Sequence, residues 1–361
     1  MLTSAPKAVL SFIYEALPSR VVFGAGALDT VAEEVAKLSA SRALVLCTPE
    51  QRSVGADIVL RLGALSAGVF DGARMHVPVE VAEAARERAR RVQADCCVAI
   101  GGGSTTGLAK AIALTSGLPV LAIPTTYAGS EMTPIWGLTE GGLKKTGRDP
   151  RVLPRTVIYD PALTLSLPVA LSVTSGINAI AHCVEALYSK DANPIISLIA
   201  EEGIRALTDG LPKVAKQPQN MDARSRTLYG AWLGGVSLGA VGMALHHKLC
   251  HTLGGTFNLP HAETHTVVLP HAVAYNAPAA PEAMDRVARA LGADSAATGL
   301  YDLAASLGAP VSLEALGMRG EQLDQAADLA VQNPYYNPRP VTREGVRELL
   351  ENAFHGRRPE R

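Results

Sequence analysis

A chain of 361 residues exceeds the usual size of one hydrophobic core and points to two domains. Its 48% hydrophobic and 19% charged residues exclude a disordered chain, and a formal net charge of -1 excludes the global attraction used to bind nucleic acid or an anionic membrane. Five cysteines in apolar surroundings without CxxC spacing, no export signal and no expected bilayer-length apolar window together point to a reducing, cytoplasmic setting.

Arg20–Phe23 reads as a short strand ending at Gly24-Ala25-Gly26, with a helix expected over 27–38. Residues 42–47 form a second apolar strand, followed by a helix over 53–65, a strand over 67–70, a charged helix over 80–92 and a strand over 96–100. Strands without polar alternation, separated by amphipathic helices, predict a Rossmann-like α/β domain with a parallel sheet covered on both faces. After the fourth strand comes Gly101-Gly102-Gly103-Ser104-Thr105-Thr106, with a helix expected over 107–115. Residues without Cβ let backbone amides approach a pyrophosphate, and the helix N-terminus faces it with positive potential. Gly102, Gly103 and Ser104 are therefore cofactor candidates, with Gly24 and Gly26 as a second contact.

The strand over 119–123 ends at Pro124-Thr125-Thr126-Tyr127, whose hydroxyls lie where such folds bind ligands. At the second strand the chain reads Cys47-Thr48-Pro49-Glu50, where an acidic residue for the adenine ribose is expected. Thr48 takes that place, Glu50 is a substitute, and Arg52 would favour a 2′-phosphate. Residues 137–151 are polar and glycine-rich, a loop or hairpin over the crevice that supplies the cations Lys144, Lys145 and Arg148. A last strand, Thr156–Tyr159, precedes a change to helix after helix, so the dinucleotide-binding domain is assigned to 1–162 and an all-helical domain to 163–361.

A helix over 175–189 carries Asn178 and His182 on one face. Further helices are expected over 194–207, 225–238, 241–254, 282–291, 295–307 and 344–354. Residues 239–275 hold six of the nine histidines. His247 and His251 share a helix face, and His261 is expected to fold back toward them after a break at Gly254-Gly255, while His246, His265 and His271 are equally open to packing roles. Three histidines with an oxygen donor make a divalent-metal arrangement, but the oxygen here belongs to an amide, which brings no charge. Near the end, Tyr335, Tyr336 and Asn337-Pro338-Arg339-Pro340 form a proline-fixed segment. Folded back on the crevice, it offers Arg339 as a carboxylate receptor and a tyrosine as a lid.

VVFGAGAL, GGGSTTGLAKAIAL, IPTTYAGSEMTPIWG, SGINAIAH and HHKLCHTLGGTFNLPHAETHTVVLPH occur in an order that resembles the iron-dependent alcohol dehydrogenase superfamily, and within it the maleylacetate reductases. The resemblance implies a dehydroquinate synthase-like fold, NADH (NADPH possible) in the cleft and a homodimer. The metal-dependent members' aspartate falls on Asn178 and their three histidine ligands on His182, His247 and His261; the aspartate of GGGSxxD falls on Gly107. The implied activity is reduction of the conjugated C=C bond of maleylacetate, and plausibly of chlorinated analogues, to 3-oxoadipate with no metal expected. The competing reading is a metal-dependent alcohol dehydrogenase. His251, His247, His182 and Tyr127 are the catalytic candidates. Asn178, His261, Tyr335, Arg339 and Lys144 are the substrate candidates, and no nucleic acid or membrane partner is expected.

Overall fold

The computed structural model describes residues 12–17, 19–141, 143–332 and 335–360. Six strands form one parallel sheet: β1 (Arg20–Phe23), β2 (Ala43–Leu46), β3 (Ser66–Phe70), β4 (Cys96–Gly101), β5 (Val120–Pro124) and, after a separate hairpin of β6 (Ile135–Glu140) and β7 (Leu143–Arg148), β8 (Thr156–Tyr159). The order across the sheet is β1-β8-β5-β4-β2-β3. Helices α1 (Val31–Lys37), α2 (Arg52–Leu62), α3 (Val79–Arg91) and α4 (Gly103–Ser116) cover it. In β2, Ala43 and Val45 face the α1 and α2 side while Leu44 and Leu46 face α3 and α4, so alternate residues of one strand serve two cores. That double burial is why the strands read as unbroken apolar runs.

From Val169 onward every described element is helical: α5 (Val169–Tyr188), α6 (Pro194–Lys216), α7 (Met221–Ala240), α8 (Leu245–Phe257), α9 (His261–Asn276), α10 (Pro281–Leu291), α11 (Ala296–Ser306), α12 (Leu323–Ala330) and α13 (Arg343–Phe354). α5 is the core helix, buried along nearly its whole length between α6, α7 and α9. Contrary to the sequence expectation, α5 is long and apolar enough to cross a bilayer, but that apolarity is spent on contacts inside the protein.

Several boundaries differ from expectation for identifiable reasons. α4 begins at Gly103, so the last glycine of the stretch opens the helix and Gly102 is its N-cap residue. α8 runs through Gly254 and Gly255 to Phe257, and the break comes at Asn258, whose φ of 56° reverses the chain. Asparagine tolerates this left-handed conformation. α12 lies in a stretch assigned to no element from sequence; it is short and its inward face is mostly alanine, which gives little periodic contrast.

Candidate active site

The order in which strands are added reverses between β2 and β4: β3 lies outward of β2, whereas β5 and β8 follow on the other side of β4. Ligands of such sheets bind beyond the strand ends at this switch point. Gly101, at the end of β4, has a φ of 145°, and a Cβ there would stand 2.5 Å from Thr105 Oγ1 and 2.6 Å from Gln51 Oε1. No side chain caps α4, whose first turn is left open at the crevice. The Thr105 hydroxyl is buried with no partner. Gln51 Nε2 donates to Thr125 Oγ1 at 3.0 Å, tying the end of β2 to the end of β5. Thr126 packs on Gly102, 3.1 Å from where its Cβ would be. Gly102, Gly103, Ser104, Thr125 and Thr126 are thus gathered in one cradle that fits a pyrophosphate, with Gln51 as a member the sequence reading missed.

Gly24 and Gly26 are not part of that cradle. They follow the edge strand β1, which β8 and β5 separate from β4, and Gly26 lines a distinct groove of about 520 Å³ with Ser53, Asp57 and Asp160. Thr48 opens the turn after β2, and its hydroxyl holds the Glu50 carboxyl below the usual range. Arg52 pairs with Asp71 at 3.2 Å. Gly107 has a packing reason: a Cβ there would meet Val77 Cγ2 at 2.8 Å. His76 and Val77 both have positive φ, 64° and 47°, an unusual conformation for a β-branched residue, and the Thr139 amide and hydroxyl hold the two carbonyls.

The loop leaving β5 connects the cradle to the helical half. Lys110 of α4 is fully buried, and its ammonium donates to the carbonyls of Ser130, Thr133 and Ile135 at 2.6, 2.7 and 2.8 Å and to Thr133 Oγ1 at 2.9 Å. Burial pushes this lysine down to about 7. Glu131 is buried beside it, its carboxyl pushed up by burial, and accepts the Tyr159 hydroxyl at 2.7 Å. Gly129, with φ 78°, passes so near α7 that a Cβ would stand 3.0 Å from Gly235 Cα and 3.4 Å from His182 Nδ1. Tyr127 is corrected as a catalytic candidate: it is fully buried, and its hydroxyl takes a hydrogen bond from Arg224 at 3.2 Å. Arg224 is itself enclosed by Ser172, Leu167 and Pro218.

Asn178, His182 and Glu185 recur at four and three residues along α5 and so share its pocket face. Glu185 is completely buried and accepts three N–H groups: the backbone amides of Ala244 and His246 at 2.7 and 2.8 Å, and His247 Nδ1 at 2.7 Å. One carboxylate therefore anchors the start of α8 and turns His247 Nε2 away from itself. The His182 and His247 rings stack at 5.1 Å. Asn178 Oδ1, His182 Nδ1 and His247 Nε2 are buried without partners. Burial, with neighbouring imidazoles second, pushes His182, His246 and His265 well below the ordinary histidine range. These rings are neutral.

His246 and His265 are packing residues joined Nε2 to Nδ1 at 3.0 Å. Together with His247 they bring ring nitrogens within 4.8 Å of one another, but the nitrogens that pair His246 with His265 are already committed. His271 is buried apart from any ring pair and is pushed down to about 4 by burial. His251 and His261 stand at the exposed rim, His261 with its ring 4.4 Å from that of His265. Tyr335 folds onto α8: its hydroxyl lies 3.2 Å from His251 Nδ1, and Lys248 Nζ stands 5.8 Å from its ring centre. Arg339 stacks 4.2 Å above the Tyr275 ring and donates to the Tyr275 carbonyl at 2.9 Å, so its guanidinium is partly engaged. The side chain of Lys144, and residues 333 and 334, lie outside the described residues.

As a test for a metal, Asn178, His182, His247 and His261, the positions that the resemblance implies as ligands, offer one amide oxygen and three imidazoles. The Glu185 carboxylate stands behind His247 and accepts three N–H groups, which turn it away from those positions. Lone pairs are available, but no first-sphere ligand carries charge.

A glycine-opened helix at the switch point of a parallel sheet, facing a pocket of imidazoles, is the arrangement of a nicotinamide-dependent oxidoreductase, and the chain belongs to the iron-containing alcohol dehydrogenase family. Residues 18–161 match the family's iron-containing alcohol dehydrogenase model, and residues 172–354 match its C-terminal model. Over nearly its whole length the chain is similar to maleylacetate reductases. It is 61% identical over 349 residues to the maleylacetate reductase of Burkholderia cepacia, covering 97% of this chain and 99% of the relative. The crystal structures of the maleylacetate reductases from Agrobacterium tumefaciens and from Rhizobium sp. strain MTP-10005 each superpose with a TM-score of 0.95 at 56% identity, over 97% of this chain and 100% of theirs.

Proposed function

We propose that the protein is a maleylacetate reductase that uses NADH, with NADPH as a second donor, and requires no metal. The observation that carries the metal-free reading is the uncharged set Asn178, His182, His247 and His261, on a chain whose full-length relatives bear that enzyme's name. Such a set brings no carboxylate to a divalent ion, and no step is assigned to one.

The dinucleotide would be held by Gly102, Gly103, Ser104, Thr125 and Thr126, and when bound supplies the hydride that adds to the alkene carbon remote from the ketone. Charge then develops as an enolate on the ketone oxygen, which needs hydrogen-bond donors rather than a Lewis acid. His251, at the rim and tied through Nδ1 to Tyr335, supplies that hydrogen bond and the proton for the carbon next to the ketone, giving 3-oxoadipate. Its exposure lets solvent replace the proton. Asn178, His182 and His247 line the inner wall, with His247 held in one orientation by Glu185. Thr48 with Glu50, and Arg52 engaged by Asp71, favour a ribose without a 2′-phosphate.

An assay with freshly prepared maleylacetate, NADH or NADPH, with and without a chelator, tests this reading. Expected is oxidation of the reduced dinucleotide that the chelator leaves intact, faster with NADH. Activity lost to the chelator and restored by iron or zinc would favour a metal-dependent alcohol dehydrogenase. The same reading includes a homodimer, which sedimentation velocity should show as a single species of twice the chain mass.

A further inference from the structure

A substrate with two carboxylates needs cations, and most of those near the cleft are already occupied. Arg339 is stacked on Tyr275 and bonded to its carbonyl. Lys145 pairs with Glu140 at 2.6 Å, and Arg148 donates to the Gly239 carbonyl at 2.6 Å. Lys110 and Arg224 are enclosed entirely.

Lys248 differs from all of these. It follows His247 directly on α8 and precedes His251 by three residues, so its side chain neighbours that of His251 on the helix surface. The residue is half-buried. Its ammonium faces the ring of Tyr335, whose hydroxyl is the partner of His251 Nδ1, and no described carboxylate or carbonyl pairs with it. An ammonium partly withdrawn from water and compensated only by the face of an aromatic ring gains strongly from a carboxylate brought beside it.

We propose that Lys248, with the Tyr335 hydroxyl, forms the subsite that takes one carboxylate of the dicarboxylic substrate and so places its enone beside His251. The inference rests on the maleylacetate reading, and it names a residue that local spacing alone leaves unremarkable among the histidines. Lys248→Met keeps the apolar stem and removes the charge; Lys248→Arg restores charge.

Expected for Lys248→Met is a KM for maleylacetate raised roughly ten- to a hundredfold, the scale of a lost charge-assisted hydrogen bond. The kcat should stay within a few-fold and NADH affinity, followed by its fluorescence, should be unchanged. Lys248→Arg should recover most of the KM. An unchanged KM in Lys248→Met overturns the subsite, as does a rise that Lys248→Arg shares in full together with weakened NADH binding, the mark of a packing role. Wild-type protein inert toward maleylacetate with either dinucleotide overturns the substrate assignment itself, and the subsite with it.

Discussion

Asn178 presents an unpartnered amide oxygen to a pocket whose other open acceptors are imidazole nitrogens. Restoring a carboxylate there, Asn178→Asp, supplies the missing charge, and calorimetric titration with zinc should show affinity raised by at least roughly tenfold. No gain would remove the charge argument for metal independence. His251→Ala should lower kcat by about two orders of magnitude, the usual weight of a general acid, while NADH affinity stays constant; equal turnover rejects the role. At this scale the sequence was informative about residue types and less so about where side chains point. Asn178, His182 and His247 were legible because two residues four apart on a helix share a face. Tyr127 was not, because a tyrosine beside two crevice threonines reads the same whether its hydroxyl faces a ligand or the buried Arg224. Glu185 was silent for another reason: its partners, the start of α8 and His247, are about sixty residues away in the chain.

Among the elements, α4 does two things at once. Its first turn opens to the dinucleotide, and Lys110, two turns on, collects the carbonyls of the loop that leads to Gly129 and His182. Lys110→Met takes this donor away from buried carbonyls, of which that of Ser130 keeps the Thr133 amide and hydroxyl, at a cost of roughly 1–3 kcal/mol for each one left unsatisfied. Thermal unfolding should show a melting temperature lowered by several degrees, whereas a change under a degree would mean the loop holds itself. The strands, α3, α10 and α13 were legible because each has a strong period or a continuous apolar run. The start of α4 was misplaced since glycines in sequence argue for a loop, while here their small size lets Gln51 and Thr126 close on the first helical turn. The end of α8 was misplaced for the same reason, with glycine pairs read as breaks.

Over the whole molecule, several histidines are buried as neutral rings, which couples folding to acidity. His271, isolated from the site, is the cleanest case. Pushed down to about 4, it stays neutral in the folded protein while the unfolded chain takes up a proton below about 6.5. Its contribution is fully present above 6.5 and is lost progressively as pH falls toward 4, roughly 3 kcal/mol by linkage. Denaturant unfolding between pH 7.5 and 4.5 should show stability falling with acid, and His271→Gln should flatten part of that slope. The two halves of the molecule meet where Gly129 lies against Gly235, so Gly235→Ala should force them apart and reduce turnover at least tenfold with dinucleotide binding retained. Unaltered kinetics would mean the contact yields without effect. The packing of Gly107 against Val77 bears on which residues the loop can accept. The aspartate that the family resemblance places at 107 would enter the space Val77 occupies, and Val77 is seated there in a left-handed conformation that valine rarely accepts. An acidic side chain at 107 cannot enter without displacing Val77 at a cost in stability, so packing from outside the crevice keeps the loop uncharged.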